Sequence, residues 1–311
     1  MKDKKTKIIL DTDMDTDCDD TGAAAVLHAL ADKNEAEIVA TFVSSLFPYS
    51  PLCLDAINHY YGRSDLVLGA LKREGASIDR GSRYAKEIAE EFPHRFQSPE
   101  EVPEALSLYR KVLESADPNS IKIVTIGYAS NLRYLLKSEP DEISDLSGRE
   151  LVAEKISEWV CMGGDFPEQK NPGKFGNFKP DPQAINEAVE LWPESVPITF
   201  FGVTLGGRIH TGKRLLKETP ENNPVRRAYE LFLGDKTTRP SWDQGSVLYA
   251  VRGLGDRWER HEEGSIYLFE NGTMEWHKKP DKNQSYLVEK KDPDKVAEEI
   301  EQLMIQPPQN K

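Results

Sequence analysis

Apolar and polar positions alternate along the chain between two signatures. Short β-branched runs of roughly four to eight residues predict buried strands, and longer stretches rich in Ala or Leu predict helices. Ile8, Ile9 and Leu10 form the first run, which stops at Asp11. A helix is predicted from about Thr21, where residues 22–31 read GAAAVLHALA and are strong helix formers. Residues 37–44 read as the next strand, followed past Pro48 and Pro51 by a helix through about Tyr61. The alternation continues with strand 121–126 and helix 131–137, strand 156–162 and helix 182–191, then strand 196–203 and helix 241–251. Such a series predicts βαβ units with right-handed crossovers, hence a Rossmann-like α/β fold with a mostly parallel sheet flanked by helices. The pattern then changes. Residues 266–269 and 274–277 flank Asn271–Gly272, a hairpin signal, and residues 286–289 suggest one more strand. An amphipathic helix over 294–304 completes a small C-terminal hairpin and helix extension, and the end from Pro307 is expected to fray. No internal repeat or long linker interrupts the chain, so residues 1–311 are expected to form a single domain.

Composition narrows the partners. With 53 acidic against 40 basic residues the formal charge is −13, which repels phosphate backbones and argues against nucleic acid. A hydrophobic content of 38% fits a globular chain. No apolar run approaches the roughly 20 residues of a membrane span, so no membrane partner is expected. The basic start, Met1 to Lys7, meets only three apolar residues before Asp11 and does not read as a signal peptide. Cys18, Cys53 and Cys161 are odd in number and form no C-x-x-C, so a reducing, cytoplasmic setting is expected. The six histidines show no metal-binding spacing. His28 reads as a packing or surface residue.

The negative charge is concentrated. Residues 11–20 read DTDMDTDCDD, with Asp11, Asp13, Asp15, Asp17, Asp19 and Asp20 in ten positions. This loop follows the first strand, where open α/β sheets bind ligands. Carboxylates this crowded repel one another, and a divalent cation offsets that most directly. An all-oxygen donor set favours a hard ion, Ca²⁺ or Mg²⁺. Helix capping accounts for one or two of the aspartates, not six. An EF-hand is excluded by spacing. Its sixth and twelfth positions, Gly and Glu, would be Thr16 and Gly22 counted from Asp11, or Cys18 and Ala24 counted from Asp13. Neighbouring carboxylates disfavour a Cys18 thiolate.

Two families carry related patterns. Asp11–Thr12–Asp13 after a first strand partly resembles the haloacid-dehalogenase phosphatases, although the fifth position of that motif, Asp15, does not match their Thr. A fuller resemblance is to the inosine-uridine-preferring nucleoside hydrolase family. It rests on four blocks in family order: Asp11–Thr12–Asp13 with Asp19–Asp20 before an Ala-rich helix; Ile126 to Leu132 (IGYASNL), similar to G-x-x-T-N-L; Gly163–Gly164, then Asn177–Phe178 and Asp181–Pro182; and Trp242–Asp243 in place of a His-Asp pair. The blocks span about residues 8–250.

The resemblance implies a Ca²⁺-dependent hydrolase that cleaves N-glycosidic bonds of ribonucleosides or related ribosides, with calcium-bound water attacking the anomeric carbon. Carried over, the metal ligands are Asp13, Asp20, the carbonyl of Ser130, and Asp243. Asp13 also becomes the base. Asp19 and Asn177 hold ribose hydroxyls, and carboxylates stabilise an oxocarbenium-like transition state. Asp11 becomes a bracing residue behind the ligands. The loop is two residues longer than the family pattern, so a register using Asp15 and Asp17 for Asp11 and Asp13 stays open. Trp242 replaces the histidine that serves as leaving-group acid in pyrimidine-accepting members; its ring either packs in the core or stacks on a base. Phe175 stands where a Glu is expected, and Ser44 to Phe47 where an Asn is usual, placing Phe47 beside the substrate. The resemblance further implies a nucleoside or glycoside as partner and a homodimer or homotetramer. Two alternatives accompany this reading: a non-catalytic calcium- and sugar-binding relative, and a Mg²⁺-dependent phosphatase with Asp11 as nucleophile.

Overall fold

The computed structural model describes residues 5–77, 82–167, 177–262, 264–278 and 282–309. Its frame is a sheet of eight strands: β1 (Thr6–Thr12), β2 (Ala36–Val43), β3 (Val67–Ala70), β4 (Ile121–Thr125), β5 (Ile156–Met162), β6 (Ile198–Phe201), β7 (Trp258–His261) and β8 (Gln284–Glu289). They lie in the order β3-β2-β1-β4-β5-β6-β8-β7, all neighbours parallel except the last pair. From the β3 edge the chain returns to place β4 beside β1, so the order reverses between these two strands. Doubly wound sheets open a binding crevice at such a point.

The sheet is buried on both faces, which explains why its central strands read as continuous apolar runs. Ile8 and Leu10 join one core layer while Ile9 joins the other; Val160 and Met162 oppose Trp159 and Cys161 in the same way. The first layer holds α1 (Asp19–Asp32), α2 (Ser50–Tyr60), the helix Trp242–Arg252 and the C-terminal helix Pro293–Met304. The second holds the helices Ala105–Glu114, Ser130–Leu136, Gly148–Lys155 and Pro182–Leu191. The α/β class, the parallel sheet and the C-terminal extension stand as expected. The hairpin pairs Ser265–Leu268 with Met274–His277 around Asn271–Gly272. The apolar pattern did not mark β3, β7, or the helices at 105–114, 148–155 and 224–233. Each is short or half-exposed, and β3 and β7 are edge strands.

His28 is buried, bonded to Asn58 (3.0 Å) and stacked on Tyr61, so it is a packing residue. All three cysteines are buried and reduced. Burial and the nearby Asp17 and Asp19 push the Cys18 thiol up, as its place in the acidic loop suggested. Among the described residues no helix is long and apolar enough to cross a membrane.

Candidate active site

The aspartate loop is built from the sheet outward. β1 stays buried to Thr12, and the chain then turns at Met14, whose φ of 48° lies in the left-handed region. Three hydrogen bonds hold that turn. The Met14 N–H is shared by Thr12 Oγ1 (3.1 Å) and Asp20 Oδ1 (3.2 Å), and Ser50 Oγ donates to the Met14 carbonyl (3.0 Å). Asp19 and Asp20 occupy the first turn of α1, and Asp243 the first turn of the helix Trp242–Arg252. The positive ends of two helix dipoles thus meet where the carboxylates converge. Glycines permit the approach. A Cβ at Gly22 would sit 2.5 Å from Gln244 Nε2, and one at Gly127 would sit 2.2 Å from the Asp13 backbone nitrogen. At Gly127 a side chain would collide with the loop backbone, and at Gly22 it would displace the ends of the Gln244 and Tyr229 side chains.

These elements enclose a cavity of about 330 Å³. Asp13, Asp19, Asp20 and Asp243 line it together with Asn177 and Trp242. Carboxylate oxygens of Asp19, Asp20 and Asp243 all lie within 4.8 Å of one another, and all three residues are buried. Asp19 accepts the Asp243 backbone N–H (3.3 Å), and Asp20 accepts the Thr12 hydroxyl. Burial first, then mutual repulsion, drives the carboxyls of Asp13, Asp19 and Asp243 far above the usual range. Asp20 is raised to about 7 by burial, against the pull of Thr12 and Met14. Three buried carboxylates within reach of one point form a hard, all-oxygen donor set whose repulsion a divalent cation would relieve. The residues therefore fit such an ion.

The other expected residues sort by position. Asp11 lies behind the cavity, fully buried, accepting Tyr109 Oη (2.8 Å) and Asn131 Nδ2 (3.1 Å). Burial raises its carboxyl to about 7. Asp11 is therefore not presented as the nucleophile that a phosphatase would need. Asp15 turns to Ser45 Oγ (2.6 Å), and Asp17 pairs with Arg239 across the cavity mouth; only Asp17 of these two lines the wall. The Ser130 hydroxyl donates to Asp181 (2.7 Å), tying two of the sequence blocks together. Neither Ser130 nor Phe47, which packs half-buried against the core beside Tyr49, is among the cavity-lining residues. Asn177 gives its amide N–H to the carbonyls of Ile126 (3.0 Å) and Met162 (3.2 Å), which leaves its Oδ1 as an acceptor. Trp242 packs half-buried against the core, with its indole N–H on the Val203 carbonyl (2.8 Å), and it also lines the cavity. Phe175 lies outside the described residues.

Several wall residues had no sequence signal as site residues. Thr16, Phe232 and Arg239 line the cavity, and Arg239 meets Asp17 across 222 positions of chain. Local pattern carries no information about a pair so distant.

No protein-family model and no curated protein sequence matches the chain. Solved structures do. A plant nucleoside hydrolase superposes with a TM-score of 0.72 at 16% identity, covering 97% of this chain and 99% of that one. The inosine-uridine preferring nucleoside hydrolase of Bacillus anthracis gives 0.71 at 14% identity, over 96% and 99%. The type III effector protein XopQ, solved with adenosine diphosphate ribose, gives 0.70 at 13% identity, over 97% and 94%. At such identities the likeness is one of fold: the chain has the fold of nucleoside hydrolases.

Proposed function

We propose that the chain is a divergent nucleoside hydrolase, a metal-dependent enzyme that cleaves the N-glycosidic bond of ribonucleosides or related ribosides. The convergence of buried Asp19, Asp20 and Asp243 on one point inside this fold carries the reading. These three would hold the cation, with Asp19 joining Asp20 and Asp243 in the place first expected for Asp13. Their oxygen-only character favours Ca²⁺. A bound cation supplies attraction for sugar hydroxyls and acidifies water. Asp13, buried in the same wall, then takes the proton of the attacking water. Asn177 Oδ1 accepts from a ribose hydroxyl. The remaining carboxylates stabilise positive charge growing on the sugar ring as the C–N bond stretches. Trp242 offers an aromatic wall to the departing base. The reading includes one domain, a cytoplasmic location and a homodimer or homotetramer, the last measurable by light scattering.

Purified protein with Ca²⁺ is expected to release free base from some members of a nucleoside panel. A chelator should stop the release, and Asp13→Ala should abolish it. No release across the panel would sink the hydrolase reading. Tight nucleoside binding without turnover would support the non-catalytic alternative.

A further inference from the structure

Arg239 is the only cationic side chain among the described residues lining the cavity. It stands on the short strand Arg239–Pro240, just before the helix that begins at Trp242. Two rings hold its guanidinium: its Cζ lies 5.1 Å from the centroid of Trp242 and 5.2 Å from that of Phe232. Nε and Nη2 are engaged by Asp17, Nε at 3.0 and 2.9 Å from the two oxygens. A guanidinium has five N–H donors in a fixed fork, and this pairing leaves those of Nη1 without a hydrogen-bond partner among the described residues. Among the described residues this is a cation clamped in one plane, with two donors unspent, bordering a cavity whose other charged groups are all carboxylates. Asp17 holds the arginine at the mouth, while the metal-fitting triad lies at Asp19, Asp20 and Asp243.

We propose that Arg239 is a catalytic residue that receives the departing base, donating from Nη1 to an acceptor on the edge of a heteroaromatic ring. The inference rests on the hydrolase reading. As the bond from the anomeric carbon to the ring nitrogen breaks, both electrons stay with that nitrogen and spread into the heterocycle. The oxygen of water forms the new C–O bond, and one of its protons goes to Asp13. Arg239 loses no proton. Its charge and hydrogen bonds stabilise the departing anion, which is then protonated by solvent. The substrate class follows: ribosides of bases with an acceptor edge and a poor intrinsic leaving ability, rather than ribosides whose leaving group is already a stable anion.

The test compares inosine and guanosine with 4-nitrophenyl riboside, whose nitrophenolate departs without help, in wild type, Arg239→Gln and Arg239→Lys. Arg239→Gln is expected to lower kcat/KM for the nucleosides by about 100-fold. For the nitrophenyl riboside the expected loss is under about threefold, which also shows that the variant is folded. Arg239→Lys, which keeps the charge, should recover part of the nucleoside loss. An equal fall on both substrate types, or none on the nucleosides, would overturn the inference while leaving the hydrolase reading intact. Wild type that cleaves only the nitrophenyl riboside would overturn it too. Wild type that cleaves neither overturns the hydrolase reading, and this inference with it.

Discussion

Two buried acidic regions share the helix Trp242–Arg252, and they are built on opposite principles. Near its far end Tyr249 belongs to the surroundings of Glu158, a buried residue of β5. Glu158 meets Lys122 Nζ at 2.8 Å and accepts the hydroxyls of Thr199 (2.7 Å) and Tyr249 (2.9 Å). Burial pushes its carboxyl up, but Lys122 and the hydrogen bonds outweigh that and hold it below the ordinary value. At the helix start Asp243 joins Asp19 and Asp20, and burial plus mutual repulsion raise all three. One acid is neutralised by its own protein. The others are gathered at a net cost that the fold alone does not recover. Such a difference is the one expected between a structural acid and a candidate ligand site: both are buried and networked, but only the second leaves repulsion for something else to balance.

The largest expected effect breaks the comparison at its functional end. On the proposed metal-dependent hydrolase reading, Asp243→Asn should lower kcat/KM by on the order of 10³-fold and remove any rise in Tm that Ca²⁺ produces. In the metal-free protein the same change should raise Tm, because it removes a carboxyl whose ionisation burial and repulsion suppress at a cost to the fold. Glu158→Gln should do the reverse and cost about 2–3 kcal/mol in urea unfolding, by leaving Lys122 without its partner. A loss of metal-free stability in Asp243→Asn would contradict this account of the aspartates.

The next effect is pH dependence without metal. Asp20 titrates near 7 in the fold against an ordinary 3.8. Between those values the folded state binds more protons than the unfolded one, so its contribution to stability falls as pH rises from about 4 to about 7. Glu158 has the opposite sign: its contribution is present above the ordinary 4.5 and is lost as pH falls through its lower folded value. Urea titrations with chelator should show stability declining with pH, a decline that Asp20→Asn makes shallower and Glu158→Gln does not.

The smallest effect sharpens the distinction between the site and its support. Tyr109→Phe removes one hydrogen bond from Asp11 and should cost about 1–2 kcal/mol of stability. Because Asp11 does not line the cavity, KM should change by less than about threefold.

Much of the fold is legible in the chain itself. Strands buried on both faces must be apolar throughout, so β1, β2, β4, β5 and β6 announce themselves, and Asn271–Gly272 marks the hairpin. Helices with one wet face, such as 105–114 and 224–233, dilute that signal. The edge strands β3 and β7 are too short to show it. The candidate site was legible as a concentration of charge. Six aspartates after a first strand mark where a cation-fitting cavity forms, and Asp243 was reached through resemblance of sequence blocks.

What the sequence could not apportion was the work of the six. A run of alternating aspartates looks the same from Asp11 to Asp20, and direction enters only through tertiary contacts. Tyr109 and Asn131 draw Asp11 behind the sheet, Ser45 draws Asp15 aside, and Arg239 draws Asp17 to the mouth. The first turns of two helices then bring Asp19 and Asp20 to Asp243. The chain by itself determined that charge collects at the end of β1, because composition and strand periodicity are local. Which carboxylates face one another was decided only by packing, because it depends on side chains more than 200 positions apart that meet through the close approach of two helices at Gly22.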